Sequence, residues 1–104
     1  AAATAHLLTF DSMQGRWRAD IGHEGDDAIR IDERRLGFSA KPEPGEIPWS
    51  DLGVDVVLEC TGRFITTATI EGHLKQGAKR VIVAAPVKDP SVLNVVVGVN
   101  EHLY

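Results

Sequence analysis

The sequence predicts an α/β fold with a parallel β-α-β core and an antiparallel meander. Two apolar runs, Val54–Glu59 and Arg80–Ala84, flank a segment whose apolar residues have helical spacing, which predicts the core. Consecutive apolar residues such as Val56–Leu58 are typical of a strand covered on both faces, as in a parallel sheet. The meander is predicted by short alternations of polar and apolar residues within residues 18–40.

Size and composition indicate an ordinary globular domain. The chain has 104 residues, of which 43% are hydrophobic and 25% charged. Its net charge of −4 gives no electrostatic reason to expect nucleic acid, and no apolar run approaches the roughly 18 residues of a membrane span. We therefore expect neither nucleic acid nor membrane as a partner. A single cysteine cannot form an internal disulfide, so we expect a cytoplasmic protein.

The first forty residues are expected to form a helix followed by the meander. Ala1–Phe10 is rich in helix formers, and Asp11–Gly15 carries the residues of a turn. The expected meander consists of strands at Arg18–Ile21, Ala28–Ile31 and Leu36–Ala40, with turns at Gly22–Asp27 and Asp32–Arg35.

A proline-rich loop is expected to connect the meander to the core. Lys41–Pro48 contains three prolines and a glycine, so it should be irregular. Trp49–Gly53 then predicts a short helical turn that packs Trp49 and Leu52 inward.

The core itself is expected to be a β-α-β unit extended by one more strand. A helix over Thr66–Gln76 should connect the two buried strands, with a right-handed crossover. Gly77 should end that helix in a left-handed conformation. A final strand at Asn94–Val99 would bring the parallel core to three strands.

Residues with reactive side chains show no catalytic or metal-binding pattern. Cys60 ends an apolar strand, where a free cysteine usually packs as a small hydrophobe, and no histidine is near it in sequence. The histidines are dispersed without metal-ligand spacing, which indicates surface or helix-end positions for His6, His23, His73 and His102. We therefore expect no catalytic residue and no metal site.

Several collinear blocks of residues carry a family resemblance. The blocks are Phe10–Ser12, Gly15–Arg16, Pro48–Trp49, Val56–Phe64, Gly77–Ile82, Ala85–Pro86 and Gly98–Asn100. In this order and spacing, the chain resembles the glyceraldehyde-3-phosphate dehydrogenase family and, more broadly, the phosphorylating aldose-phosphate dehydrogenases. The resemblance covers essentially all 104 residues. It implies a Rossmann-type domain with NAD or NADP as the cofactor.

The resemblance also implies a set of cofactor-binding positions near the adenine and its ribose. These positions are Thr61, Gly62, Arg63, Phe64, Ala84 and Pro42. Gly62 permits close approach of a ligand to the backbone, and Phe64 offers an apolar face for a base. Ala84 stands where the family commonly has serine, and Pro42 stands where it typically has arginine. Each lost polar contact should weaken dinucleotide binding by about 1 kcal/mol.

Other parts of the family pattern are missing from these residues. No G-x-G-x-x-G phosphate loop occurs, and the resemblance places the nucleophilic cysteine, in a Ser-x-Cys-Thr-Thr-Asn motif, beyond Tyr104. We therefore expect residues 1–104 to be a partial NAD(P)-binding domain, without its first mononucleotide half and without the catalytic domain. By itself such a chain should be inactive as a dehydrogenase.

Two functions remain open at this point. The chain is either a fragment or truncated homologue that contributes the adenine side of the NAD site in a phosphorylating aldehyde dehydrogenase, or a stand-alone binding or assembly module. In the second case its exposed strand edges would pair with another copy, giving a homo-oligomer or a strand-exchanged dimer. The residues distinguish neither a triose from a tetrose substrate nor NAD from NADP.

Overall fold

The computed structural model describes all residues, Ala1–Tyr104, and divides them into two compact units. The first unit is Ala1–Ala40 and the second is Lys41–Tyr104. The first unit contains two sheets and one α-helix, and the second contains one sheet and one α-helix.

The first unit begins with helix α1, Ala2–Thr9, as the sequence predicts. A small antiparallel ribbon follows, formed by strands β1, Phe10–Asp11, and β2, Gly15–Arg16. Between them, the Asp11 carboxylate accepts hydrogen bonds from the backbone N–H groups of Met13 and Gln14, at 2.8 and 2.6 Å. These bonds hold the predicted turn and lower the pKa of Asp11.

The predicted meander is present, with shifted boundaries. Its strands are β3, Ile21–Glu24, β4, Ala28–Ile31, and β5, Arg34–Gly37, in the antiparallel order β3-β4-β5. The first strand therefore begins at Ile21, where the predicted strand Arg18–Ile21 ends, and the third ends before Ala40.

Tight turns explain this shift. Gly25 adopts a φ of +59°, so the chain reverses within three residues and leaves Gly22 and His23 free to pair with β4. Asp32 adopts a φ of +51° and turns the chain together with Glu33, so Arg34 and Arg35 join β5 instead of the turn.

The second unit contains the predicted β-α-β unit. Strand β6, Val56–Glu59, and strand β7, Arg80–Val83, pair in parallel, with Val57 opposite Val81 and Glu59 opposite Val83. Helix α2, Thr67–Lys75, connects them. The unit also contains short 3₁₀ helices at Pro44–Glu46 and Glu101–Leu103.

Both ends of α2 follow local chemistry. Thr66 caps the first turn, because its side chain accepts a hydrogen bond from the backbone N–H of Thr69. Gly77 follows the last turn with a φ of +100°, as expected for a left-handed cap. A Cβ at Gly77 would lie 2.6 Å from Cβ of Ser50, so this close approach also requires glycine.

The predicted third strand at Asn94–Val99 does not form, and the parallel sheet has two strands. Asparagine side chains bind the backbone in this segment. Asn94 bonds both the N–H and the C=O of Val87, each at 3.0 Å. Asn100 accepts from the N–H of Val96 and donates to the C=O of Asn94, at 2.6 and 2.9 Å. The segment is therefore folded by turns instead of by strand pairing.

The parallel pair is covered on one face only, which corrects the expectation for Val56–Leu58. Val57 and Glu59 are buried, whereas the side chains on the opposite face are exposed, with Leu58 at 67% and its register partner Ile82 at 57%. The buried face contributes to a core that contains Val57, Ile70, His73, Ala78 and Val87. Leu52 is 61% exposed, so the expectation that it packs inward is also wrong.

Neither helix could span a membrane, since α1 has eight residues and α2 has nine.

Candidate functional site

The candidate site lies where the two parallel strands end. Glu59 ends β6 and Val83 ends β7, and the two residues are register partners. The backbone N–H of Ala84 donates to the carbonyl oxygen of Glu59 at 2.9 Å, so the loops after both strands start side by side. In open α/β sheets, ligands bind outside the carboxyl ends of the strands.

The loop Cys60–Phe64 is held in shape by the side chain that precedes it. Oε1 of Glu59 accepts hydrogen bonds from the backbone N–H of Thr61, at 2.7 Å, and from its hydroxyl. The same hydroxyl accepts from the backbone N–H of Arg63 at 3.1 Å. Gly62 has a φ of +70°, and no atom lies within 4 Å of the position that a Cβ would take. A ligand can therefore approach the backbone at Gly62 closely.

The side chains of Arg63 and Phe64 lie against each other at the end of this loop. The guanidinium carbon of Arg63 lies 5.4 Å from the centroid of the Phe64 ring, within the range of a cation–π contact. The Phe64 ring is half-buried. Aromatic rings and guanidinium groups are both protein groups on which a nucleotide base can stack.

The structure brings five of the six sequence-predicted positions together. Thr61, Gly62, Arg63 and Phe64 share one loop, and Ala84 begins the neighbouring loop. Pro42 is exposed on the segment before the first 3₁₀ helix, and no hydrogen bond joins it to either loop.

Sequence reasoning missed the buried polar residues behind the loop. Nε2 of His73 lies 3.2 Å from Oε2 of Glu59, and both side chains are about 5% exposed or less. Nε1–H of the half-buried Trp49 donates to Nδ1 of His73 at 3.0 Å. Of the two positions expected for His73, a surface or a helix end, the helix end is correct, because His73 lies in the last turn of α2, whereas the surface position is wrong, because the side chain is buried.

The burial of Glu59 and His73 can be predicted from the periodicity of the sequence. Glu59 lies two positions after Val57, on the same face of a strand, and His73 lies three positions after Ile70, on the same face of a helix. Both apolar neighbours are core residues. Periodicity therefore places Glu59 and His73 toward the core, where a buried polar side chain requires a partner.

The Glu59 carboxyl is held in its charged form. Burial opposes ionisation, but the hydrogen bonds from the hydroxyl and N–H of Thr61 and from His73 outweigh it, so the pKa of Glu59 is lowered from its ordinary 4.5. The carboxylate thus serves as an acceptor that shapes the loop.

Cys60 is exposed, contrary to the expectation that it packs as a small hydrophobe. Strand alternation explains this, because Cys60 continues the row of Val56 and Leu58 on the uncovered face. Its thiol makes no hydrogen bond. No cluster of three or more potential metal ligands occurs in the chain.

Comparison with known proteins gives consistent similarities. Residues 1–67 match the family described as glyceraldehyde 3-phosphate dehydrogenase, NAD binding domain. The chain is 51% identical over 104 residues to glyceraldehyde-3-phosphate dehydrogenase 3 of Nostoc sp., which covers 100% of the chain and 30% of that relative. It is 46% identical over 101 residues to a glyceraldehyde-3-phosphate dehydrogenase of Mycobacterium tuberculosis, covering 96% of the chain and 30% of the relative.

A third relative extends the same similarity. The chain is 42% identical over 103 residues to a glyceraldehyde-3-phosphate dehydrogenase of Streptomyces coelicolor, covering 99% of the chain and 30% of that relative. The chain therefore spans about 30% of the length of each of these relatives.

Proposed function

Because this chain belongs to the glyceraldehyde-3-phosphate dehydrogenase family, we propose that it supplies the adenine side of the NAD site in a phosphorylating aldehyde dehydrogenase. The pairing of the Cys60–Phe64 and Ala84 loops at the carboxyl ends of β6 and β7 carries this proposal. The β-α-β unit of residues 56–83 would then be one part of an incomplete Rossmann-type domain.

The loop residues fit the adenosine end of a dinucleotide. The open backbone at Gly62 admits a ribose, and the surface formed by Arg63 and Phe64 suits a purine base. Arg63 would compensate for Pro42, which has neither charge nor donor. Ala84 borders the loop without a hydroxyl, so it would contribute shape only. When bound, the nicotinamide of NAD accepts hydride from the substrate.

A calorimetric titration with NAD and NADP tests this proposal. We expect weak binding of at least one dinucleotide, competition by AMP and no competition by nicotinamide mononucleotide. Phe64→Ala should raise the Kd about tenfold through loss of stacking. Leu52→Ala, which removes a similarly apolar side chain that is 61% exposed in the same unit, should leave the Kd unchanged. No binding of either dinucleotide at millimolar concentration would overturn the proposal.

The uncovered sheet face supports the second function, an assembly module that forms a homo-oligomer. Leu58 and Ile82 lie side by side on this face and are both more than half exposed, and Val56 is 43% exposed. Both outer edges of the two-stranded sheet are also unpaired. Sedimentation at increasing concentration should reveal self-association, whereas a monomer at all concentrations would exclude this function.

A further inference from the structure

We infer that Glu59 is a positioning residue that prepares the cofactor loop for binding, through a buried chain of hydrogen bonds formed by Trp49, His73, Glu59 and Thr61. This inference rests on the proposed function, because the loop in question is the proposed adenosine site. It assigns a role to side chains that do not reach the ligand surface.

The direction of each hydrogen bond follows from the donor-only character of the indole. Nε1–H of Trp49 can only donate, so Nδ1 of His73 must accept. A neutral imidazole that accepts at Nδ1 carries its proton on Nε2. His73 therefore donates to Oε2 of Glu59, which lies 3.2 Å away.

Glu59 must consequently accept on both sides. Oε2 faces the His73 donor, and Oε1 faces two donors of Thr61, its N–H and its hydroxyl. An ionised carboxylate is the side chain that offers acceptors at both positions and no donor. The side chain is 4% exposed, so water does not compensate for a mismatched group.

This series of hydrogen bonds ends in the loop Cys60–Phe64. Once its proton points toward Glu59, the hydroxyl of Thr61 presents a lone pair to the N–H of Arg63 at 3.1 Å. The backbone at Gly62 lies between these two residues, and Arg63 covers Phe64. The orientation of the whole proposed adenosine surface thus depends on an acceptor at Glu59.

Glu59→Gln tests this dependence with almost no change of shape. A glutamine carries one acceptor and one NH₂ group, so it faces either His73 Nε2–H or the two Thr61 donors with a donor of its own. Both orientations leave a buried donor opposed to a donor. Glu71→Gln is the matched control, since Glu71 has the same charge, lies on α2 and pairs with Lys75 at the surface.

The first measurement is exchange of the Thr61 and Arg63 amide protons with water, by NMR on the whole chain without ligand. We expect exchange about tenfold faster in Glu59→Gln and unchanged in Glu71→Gln. Equal exchange in Glu59→Gln and the unsubstituted chain would overturn the inference. If Glu59→Gln does not fold, Thr61→Val serves instead, and unchanged exchange at Arg63 in that variant would overturn the inference.

The second measurement is the Kd for NAD in the same proteins. Glu59→Gln should raise it about tenfold, with no change in Glu71→Gln. The effect should shrink in a Thr61→Val background, because Glu59 acts through Thr61. Faster exchange with an unchanged Kd would overturn the positioning role. If the unsubstituted chain binds neither NAD nor NADP, the proposed function fails, and the exchange result alone then decides whether Glu59 orders the loop.

Discussion

At the scale of single residues, carboxylates close short loops by accepting hydrogen bonds from residues just ahead of them. Asp11 accepts from the N–H of Met13, Glu59 from that of Thr61, and Asp89 from that of Ser91. In each case the pKa of the carboxyl is lowered: for Asp11 by the N–H of Gln14 and then that of Met13, and for Asp89 chiefly by the hydroxyl of Thr67. For Glu59, burial opposes the shift and the hydrogen bonds from Thr61 and His73 outweigh it. The loop of the candidate site is held by the same kind of hydrogen bond, but here the carboxylate, that of Glu59, is buried.

Asp89 allows a test of how the thermal stability of the chain depends on pH. Hydrogen bonds from the hydroxyls of Thr67 and Ser91 and from the N–H of Ser91 lower the pKa of Asp89 from 3.8 to about 2. Its stabilising contribution is therefore present above pH 3.8 and lost as the pH falls toward 2. We expect Asp89→Asn to lower the thermal unfolding temperature at pH 7 and to have a much smaller effect at pH 2, where the carboxyl of Asp89 is largely protonated in the unfolded chain and about half protonated in the folded one.

Asp26→Asn is the control for that experiment, because Asp26 is an exposed carboxylate in a turn that makes no hydrogen bond. It should change the unfolding temperature at neither pH. An NMR titration of the Asp89 carboxyl that gives a pKa at or above 3.8 would contradict the prediction.

At the scale of elements, both ends of α2 are held in place within the β-α-β unit by specific contacts. Its first turn is capped by Thr66, and its last residues approach the turn that contains Trp49, where the N–H of Ser50 donates to the carbonyl of Gln76 at 2.9 Å. Gly77 permits this approach through both its positive φ and its lack of a side chain. The same approach places Trp49 against His73.

Gly77→Ala should therefore destabilise the chain by about 2 kcal/mol, because an alanine would be strained at a φ of +100° and would collide with Ser50. Chemical denaturation measures the free energy of unfolding. Gly45→Ala, where a Cβ meets no atom within 4 Å, should change it by less than about 0.5 kcal/mol. A similar effect of both substitutions would show that the close approach of Gly77 to Ser50 does not contribute to the free energy of unfolding.

At the scale of the whole molecule, the main departure from an ordinary domain is the bare apolar face of the parallel pair. Its central residues, Leu58 and Ile82, are each more than half exposed. Contiguous apolar surface of this kind is typical of protein contact sites. It is the observation on which the proposed assembly function rests.

Leu58→Ser combined with Ile82→Ser should weaken self-association about tenfold or more, because the two apolar side chains no longer leave water on contact. Sedimentation velocity at several concentrations measures this. The matched control combines Leu7→Ser with Met13→Ser, two apolar residues that are 69% and 91% exposed in the other unit. An equal loss of association in both double variants would indicate unspecific adhesion instead.

Much of the candidate site is readable from the sequence. An apolar strand followed by Thr61–Phe64, with a second strand ending near Ala84, predicts two neighbouring loops at one edge of a sheet, and the structure confirms that these loops are neighbours. Whether they bind a cofactor stays a prediction. The buried partners of the loop were missed, because Trp49 and His73 are separated by 24 residues and meet only through tertiary packing.

Local patterns thus determined both helices, the antiparallel meander, the β-α-β unit and the family to which this chain belongs. Only the tertiary structure decided which faces are covered, since burial depends on what packs against a strand and not on the strand's own residues. For this reason Val56–Leu58 reads as doubly buried yet has one exposed face, and His73, expected at the surface or at a helix end, lies in the last turn of α2 with its side chain buried. Asn94–Val99 reads as a strand yet forms turns, because the side chains of Asn94 and Asn100 bond to the backbone.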